Sequence, residues 1–303
     1  MSMNRSYRAK STLEQWRIFQ AVVEQGGYAQ AAFYLNKSQS SLNHAVGKLQ
    51  NMLGVQLLQV TGRKAELTEI GQVMLRRSLS LTQGIEELEG LALNLQQGWE
   101  PEITLAREII HPTAPVHQAL KSFLPLSKGT RVKIIDTVMS GSEEMLTNGN
   151  CQLAIMPVLP KGYLGEPLIN IEMILVIGAS HSLAKRRNSL NVSDIAPHLQ
   201  IVIRDTASQP KENQGWLRAE QRWTVGSFYE AIDLVKEGLA FAWLPRHLIS
   251  AELRSEELIQ LKVLGGSIKR MESYLVLPDA EQAGPATRLL FDQLLESHAT
   301  SSS

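Results

Sequence analysis

The chain has 303 residues, of which 44% are hydrophobic and 20% are charged, so it is long enough for two or three domains with buried cores. No apolar run approaches the roughly 18 residues that cross a bilayer, and the first eleven residues lack the apolar segment of a secretory signal. A single cysteine, Cys151, excludes an internal disulfide and any site built on paired cysteines. These features predict a cytoplasmic protein that makes no membrane contact.

The zero net charge conceals an asymmetry along the chain. Residues 1–67 hold eight of the 30 basic and three of the 30 acidic residues, a net charge of +5, which leaves 22 and 27, or −5, for the remainder. A positive N-terminal region can bind polyanions through phosphate contacts, although basic surfaces that only contact solvent are common.

The N-terminal region predicts three helices. The first carries a stripe of apolar residues and ends at Gly26-Gly27, and the second, "YAQAAFYLN", turns its small alanines inward. The third, "SQSSLNHAVGKLQNMLG" over residues 38–54, has Ser38 as a cap and Gly54 as its stop, with apolar residues three and four apart. Its other face carries serine, asparagine, histidine and glycine. A second helix joined to a third by three residues is typical of a helix-turn-helix.

After Gly54, "VQLLQVTGRKAELT" predicts a strand, a turn at Thr61-Gly62 and a returning strand, with Arg63 and Lys64 at the tip. The region is therefore predicted to be a winged helix-turn-helix.

The ordered run "LEQWRIFQAVVEQGGYAQAAFYLNKSQSSLNHAVGKLQNMLGVQLLQ…RKAELTEIG" resembles the N-terminal domain of LysR-type transcriptional regulators. It includes the alanine pair, the Ser-Gln that opens the recognition helix, the Leu-Gly before the wing and a Leu-Thr-x-x-Gly motif. Three positions depart from the family pattern: Ser40 replaces the usual proline, Asn43 a common serine, and Val60 a common arginine. The first two suggest a changed base preference, and the third suggests the loss of one phosphate contact.

The polar face of the third helix is predicted to read double-stranded DNA, because asparagine can pair with adenine and lysine can reach guanine or phosphate, while Gly47 permits close backbone approach. The alternative is a solvated surface with no partner. The predicted DNA-binding residues are Ser38, Gln39, Ser40, Ser41, Asn43, His44, Lys48, Arg63 and Lys64.

A long linker helix follows from Thr68, with a seam formed by Met74, Leu81, Ile85, Leu88, Ala92 and Leu95 and interrupted by Ser78. Such a seam cannot be buried by one helix alone. It predicts a homodimer that presents two reading helices to a pseudo-palindromic promoter site, although the first turns can pack on their own winged domain. The family resemblance favours this dimer and, often, a homotetramer.

Beyond Gly98, six short apolar runs alternate with helical stretches and are typical of buried parallel strands: "EITLAREII", "RVKIIDTV", "QLAIMPV", "MILVIGA", "LQIVIR" and "SYLVLP". The fold class is thus α + α/β. The resemblance implies a two-lobed effector domain similar to periplasmic binding proteins. The predicted domains are 1–67 for DNA binding, 68–98 for the linker and 99–303 for the effector, with lobe I at 102–156 and 265–297 and lobe II at 157–264.

Ligands of such sheets bind at strand ends and helix starts. The predicted effector-binding residues are His111, Pro112, Thr113, Ser140, Gly141, Ser142, Arg204, Asp205, Thr206, Gly226 and Ser227. Free amides and an arginine favour a small carboxylate. The serines are equally suited to plain helix caps, Arg204 to an ion pair and His111 to an ordinary loop.

No phosphate-binding loop, nucleophile elbow or zinc-protease motif occurs, and the seven histidines are scattered, so neither catalysis nor a cofactor is predicted. Cys151, at a strand start, is expected to be a buried structural thiol. The sequence therefore predicts an effector-responsive transcription regulator. The alternatives are a solute-binding module whose N-terminal region serves assembly and, more distantly, a metabolic enzyme.

Overall fold

The computed structural model describes residues 9–61, 64–186, 190–210 and 219–301. The chain divides into two compact units, Met1–Asn94 and Leu95–Ser303. Within the described ranges, no helix is both long enough and apolar enough to cross a membrane.

The first unit is a three-helix core with a two-stranded wing and a long helix. Its elements are α1 (Leu13–Glu24), α2 (Tyr28–Tyr34), α3 (Gln39–Leu53), β1 (Leu58–Thr61), β2 (Lys64–Leu67) and α4 (Glu69–Gln96), the last of which runs past the unit boundary. Strands β1 and β2 pair antiparallel, with Leu58 opposite Leu67. The predicted winged helix-turn-helix is confirmed.

Local signals fix the ends of these helices. Thr12 and Gln15 form a reciprocal capping box at the start of α1, and the Ser38 side chain accepts a hydrogen bond from the Ser41 amide at the start of α3. Gly54 ends α3 at φ +70°, in the left-handed region that favours glycine. Ala31 is fully buried, which lets α2 lie close to its neighbours.

Helix α4 begins against its own domain and continues with an apolar row in solvent. Ser78, which interrupts the predicted seam, is buried, and its Oγ accepts a hydrogen bond of 3.0 Å from Nε2 of Gln20 on α1. The Thr82 hydroxyl donates to Oε1 of the same glutamine at 3.3 Å. Further along, Leu81 and Leu88 are 59% and 64% exposed, so in this single chain the far seam is uncovered.

The second unit combines a nine-stranded mixed sheet with flanking helices. Its strands are β3 (Glu102–Glu108), β4 (Arg131–Thr137), β5 (Leu153–Met156), β6 (Glu166–Gly178), β7 (Leu199–Ile203), β8 (Gln221–Val225), β9 (Phe241–Pro245), β10 (Leu258–Gln260) and β11 (Ile268–Val276). Its helices are α5 (Thr113–Phe123), α6 (Ser140–Thr147), α7 (Val192–Ile195), α8 (Phe228–Lys236), α9 (Ser250–Arg254) and α10 (Pro285–Ser301).

The sheet has two parallel ends joined by an antiparallel ribbon. The strand order is β4-β3-β5-β11-β6-β9-β7-β8, with β10 beside β6. Strand β3 pairs parallel with β4 and β5, and β7 pairs parallel with β8 and β9. We call β3, β4, β5 and their helices α5 and α6 the first half, and β7, β8, β9 and α8 the second half.

The prediction that all six apolar runs lie in parallel pairings is wrong for two of them. "MILVIGA" belongs to β6 and "SYLVLP" to β11, and these strands pair antiparallel with each other. Strand β6 also pairs antiparallel with β9 and β10, and β11 also pairs antiparallel with β5. The antiparallel ribbon connects the two halves.

Each half has its own apolar core. In the first half, Ile103, Val116 and Leu290 are fully buried between β3, α5 and α10. In the second half, Val235, Ala240 and Leu244 are fully buried around α8 and β9. Two cores joined by a ribbon leave room between the halves for a cavity.

Candidate DNA interface and effector cavity

The outer face of α3 is exposed and carries little formal charge. Leu42, Val46 and Leu49 are fully buried, which fixes which side of the helix faces outward. The predicted reading residues on this helix and its cap are all exposed: Ser38, Gln39, Ser40, Ser41, Asn43, His44 and Lys48. The structure thus brings them together on one accessible surface.

Gly47 lies among these residues in an open position. A Cβ atom built there meets no heavy atom within 4 Å, and its φ is not in the positive region. Neither backbone conformation nor packing within the domain therefore requires glycine. Close approach of an external backbone, such as that of DNA, is a remaining reason for the missing side chain.

In the wing, β1 and β2 pair with Thr61 opposite Lys64, and Lys64 begins the returning strand β2. Arg63 lies outside the described residues. Hydrogen bonds from the amides of Leu57 and Leu58 to Gln50 Oε1, at 2.7 and 3.0 Å, tie the base of the wing to α3. The recognition helix and the base of the wing thus form one rigid surface.

A cavity of about 310 Å³ lies between the two halves of the second unit. The first half contributes the end of β3, the start of α6 and the segment after β5, while the second half contributes β7, α8 and β9. Apolar side chains from both halves line it, and polar or charged groups come from Glu108, Ser140, Glu143, Gln200, Trp243 and Lys269.

Of the effector-binding residues predicted from the sequence, Ser140 lines this cavity. Pro112 is partly buried and Thr113 begins α5, while Arg204 and Gly226 are exposed. Ser227 caps α8 by accepting a hydrogen bond of 3.3 Å from the Glu230 amide. The roles assigned to these residues remain predictions.

Four predicted residues do come together, but they contact each other. The Ser140 amide and hydroxyl both donate to Oδ2 of Asp205, and the Val138 amide donates to the Thr206 hydroxyl at 2.9 Å. Gly141 lies so close to Thr206 that a Cβ atom there would collide with its hydroxyl. A carboxylate from the second half thus occupies the start of α6 in the first half.

Ser208 extends this contact. Its amide and hydroxyl donate to the two carboxylate oxygens of Glu144 on α6, each at 2.6 Å. We call the contact of Asp205, Thr206 and Ser208 with α6 and Val138 the interlobe clasp.

Glu108, which the sequence analysis missed, is a buried acid at the cavity wall. One oxygen accepts a hydrogen bond of 3.2 Å from the Met139 amide, and Ser142 Oγ lies 3.3 Å from the other. Burial, reinforced by the nearby Asp205 and Asp136 carboxylates, raises the pKa of Glu108 to about 8. Glu108 is therefore uncharged at neutral pH.

Gln200, Trp243 and Lys269 were also missed, because each lies within a strand. The Lys269 ammonium lies 4.4 Å from the centre of the Trp243 ring, and burial lowers the pKa of this lysine. Gln200 is 1% exposed, an unusual place for an amide in an apolar strand. Glu108 and Gln200 could have been found in sequence as polar residues inside otherwise apolar runs.

His111 is buried away from the cavity lining. Its Nδ1 lies 3.0 Å from Ser273 Oγ, and its Nε2 lies 2.9 Å from Nε2 of His298 on α10. Burial, and next the neighbouring His298, lower the pKa of His111 to about 3. It is thus a neutral core histidine that links β3 to α10.

In the described part of the chain, no group of three or more histidine, cysteine or acidic side chains is arranged to hold a metal ion. Cys151 is buried, and burial raises the pKa of its thiol to about 11, which makes the reactive thiolate rare at neutral pH.

A winged helix with an exposed polar reading face, in one chain with a ligand-sized cavity between two α/β halves, defines the class of ligand-responsive transcription regulators. Residues 13–72 match the family model "Bacterial regulatory helix-turn-helix protein, lysR family", and residues 96–299 match "LysR substrate binding domain". The chain belongs to the LysR family of transcriptional regulators. Its N-terminal domain binds DNA, and its C-terminal domain binds a small-molecule effector.

Relatives cover nearly the whole chain. The uncharacterized HTH-type transcriptional regulator YeeY of Escherichia coli is 29% identical over 301 residues, which is 96% of this chain and 95% of YeeY. The RuBisCO operon transcriptional regulator of Allochromatium vinosum is 24% identical over 91% of this chain and 92% of its own length.

Among solved structures, full-length LysG from Corynebacterium glutamicum with bound effector Arg has a TM-score of 0.51 at 15% identity, covering 95% of this chain and 98% of LysG. This likeness shows a shared fold. It bears out the predicted fold class of winged helix-turn-helix, linker helix and two-lobed α/β domain.

Proposed function

We propose that the α3 face reads a promoter sequence in double-stranded DNA and that the effector binds in the cavity between the two halves. The observation that carries the DNA assignment is the exposed, nearly uncharged face of α3, which is held rigidly by its own buried stripe. Asn43 and His44 offer base-edge contacts, and Lys48 offers a contact to guanine or phosphate. The cap residue Ser38, the following Gln39, Ser40 and Ser41, and the wing residues Arg63 and Lys64 complete the proposed interface.

The test is selection of bound fragments from sheared genomic DNA over a salt series, followed by footprinting. We expect a few pseudo-palindromic, promoter-proximal sites whose affinity falls steeply with salt. Asn43→Ala and His44→Ala should each relax the preference at one base position. Ser80→Ala, at an exposed position of α4 outside the proposed interface, is the control and should leave the preference unchanged.

Absence of salt-dependent DNA binding by a folded sample would favour the solute-binding alternative. Turnover of a bound ligand would be needed to support an enzyme, and the relatives described above are named as transcriptional regulators.

A homodimer through α4 is part of the proposal. Leu81, Leu88 and Leu95 are all more than 40% exposed in a row along the helix, an arrangement that a second copy of the helix would bury. The same proposal includes a homotetramer and a cytoplasmic location. It also includes the domain bounds 1–67, 68–98 and 99–303, with the two lobes as predicted. Analytical ultracentrifugation of the parent and of Leu88→Glu tests the dimer, which the substitution should weaken.

The effector's chemistry was predicted to be that of a small carboxylate. Lys269 is the lining residue that would support it, since an ammonium can pair with an anion.

A further inference from the structure

Met139, at the cavity wall, has a backbone conformation that side chains rarely adopt. Its φ is +54° and its ψ is −110°, which lies outside the left-handed helical region, where ψ is also positive. These angles match the first central position of a type II′ turn, and the Gly141 amide closes this turn with a bond of 3.1 Å to the Val138 carbonyl. Glycine dominates that position because it has no Cβ atom. A methionine there is strained.

Three consecutive amides hold this turn in place, and each donates to a different side chain. They are the amides of Val138 to the Thr206 hydroxyl at 2.9 Å, of Met139 to Glu108 Oε1 at 3.2 Å, and of Ser140 to Asp205 Oδ2 at 3.3 Å. The first and third acceptors belong to the interlobe clasp. The strained conformation persists because these partners, from both halves, fix the peptide groups on either side of it.

The same residue belongs to the effector cavity. Met139 lines the cavity wall, is partly buried, and packs against the core of the second half. Methionine has a flexible side chain that adapts to its neighbours. A molecule in the cavity would therefore meet the residue whose backbone lies between two donors of the clasp.

The clasp is built so that it can open while both halves stay folded. It consists of hydrogen bonds, and Thr206 and Ser208 are exposed. Each half keeps its own core, in which Ile103 and Leu244 are fully buried. Exposed polar contacts with little apolar burial open at a lower free energy than a core.

We propose that the interlobe clasp is the switch of this regulator and that the strained turn at Met139 favours its opening. A ligand held on the wall of Trp243 and Lys269 shifts the clasp to the extent that it binds better when this turn takes one of its two arrangements. The inference rests on the proposed function, because it concerns the regulation of the same effector domain.

The first measurement is hydrogen exchange of the full-length protein, followed by mass spectrometry on peptides from the start of α6 and from the Asp205 segment. Met139→Gly and Met139→Ala both remove the side chain, but only glycine also removes the strain. We expect these peptides to exchange about three- to thirtyfold more slowly in the glycine variant than in the alanine variant, a factor that corresponds to one strained residue less the entropy that glycine loses on folding.

Met271, on β11 in the same wall, provides the matched control, because its φ is not positive. In the β11 peptide, Met271→Gly should exchange faster than Met271→Ala, the ordinary order for a strand.

The second measurement links the clasp to DNA. Asp205→Ala removes the acceptor of both Ser140 donors, so the clasp peptides should exchange about ten- to 100-fold faster than in the parent. The bend of the selected promoter site, measured by energy transfer between dyes at the DNA ends, should change with it. Adding Met139→Gly to Asp205→Ala should restore part of both values, whereas adding Met139→Ala should not.

Two further variants support this measurement. Ser208→Ala removes one bond to Glu144 at an exposed position and should act in the same direction as Asp205→Ala with a smaller effect. Asp233→Ala removes an exposed carboxylate of α8 outside the clasp and should change neither exchange nor bend.

Equal exchange in the glycine and alanine variants of Met139 would show that the turn is not strained and would overturn the inference. So would an unchanged DNA bend in Asp205→Ala and Ser208→Ala while their clasp peptides exchange faster. DNA selection with the parent protein separates these results from failure of the proposed function. Selected promoter sites whose bend ignores the clasp refute the switch alone, whereas absent sites refute regulation itself.

Discussion

Replacement of Gly47 by alanine separates what α3 needs for folding from what it needs for DNA. Gly47 lies inside the helix without a positive φ, and an added Cβ would meet nothing within 4 Å. Alanine in a helix interior is favoured over glycine by about 0.5–1 kcal/mol. We therefore expect Gly47→Ala to stabilise the first unit by this amount.

The same methyl group should weaken DNA binding. It would protrude from the surface that carries Asn43, His44 and Lys48, where the backbone is proposed to approach the major groove closely. A misfit at one base contact costs about 1–3 kcal/mol, so affinity for the selected site should fall by about five- to 150-fold.

The assay pairs thermal unfolding with DNA titration at fixed salt. For a unit of this size, 1 kcal/mol corresponds to a midpoint shift of about 4–8 °C. Gly90→Ala in α4, where a Cβ is equally unobstructed, is the matched control and should stabilise without changing DNA affinity. Unchanged DNA affinity in Gly47→Ala would refute the close approach, and an absence of stabilisation would refute the argument from open space.

Three further predictions concern buried contacts. Gly71→Ala should lower the unfolding midpoint of the first unit, at a cost of about 1–3 kcal/mol, because its Cβ would collide with the Leu57 carbonyl; an unchanged midpoint in calorimetry would contradict this. Ser78→Ala should cost about 1–3 kcal/mol in urea unfolding, because it removes one of two partners of the buried Gln20 amide; Ser80→Ala, at an exposed position of the same helix, should cost almost nothing. Glu108 binds its proton more tightly in the folded state, with a pKa of about 8 against the ordinary 4.5, so its contribution to stability is complete below pH 4.5 and is lost as the pH rises towards 8. Glu108→Gln should flatten the fall in the free energy of unfolding between pH 6.5 and 8, a change of about 2 kcal/mol, and an equal slope in both proteins would count against the raised pKa.

The N-terminal unit could be predicted almost completely, because its signals are local. Ser38 and Gly54 bound α3 within its own sequence, and the apolar spacing sets the buried side without reference to distant residues. The role of Ser78 needed the structure. Its hydroxyl accepts a hydrogen bond from Gln20, which is 58 residues away in sequence, and the residue pattern within α4 cannot reveal that partner.

The direction of the strands in the second unit was harder to predict from the sequence. An apolar run is similar in a parallel and an antiparallel pairing when both faces are buried, so the sequence of β11 does not reveal that it runs against β6. The cavity residues were missed for a related reason. Gln200 and Trp243 lie on two separate strands, and their unsatisfied atoms become evident only when the burial of both side chains is known.

At the start of α6 the Ser140 amide and hydroxyl bind a carboxylate that belongs to the chain, and the predicted contact of Ser140 with an effector stays a prediction. A backbone amide at a helix start binds a carboxylate for the same physical reason whether the carboxylate arrives with a ligand or from another segment, and only tertiary structure distinguishes the two. An effector shifts a protein between two arrangements only by binding one of them better. Since the interlobe clasp already joins the halves through Asp205, the difference that an effector adds must come from the opposite wall, where Gln200, Trp243 and Lys269 line the cavity. The chemistry of that wall, rather than a helix start, should therefore decide which molecule controls this regulator.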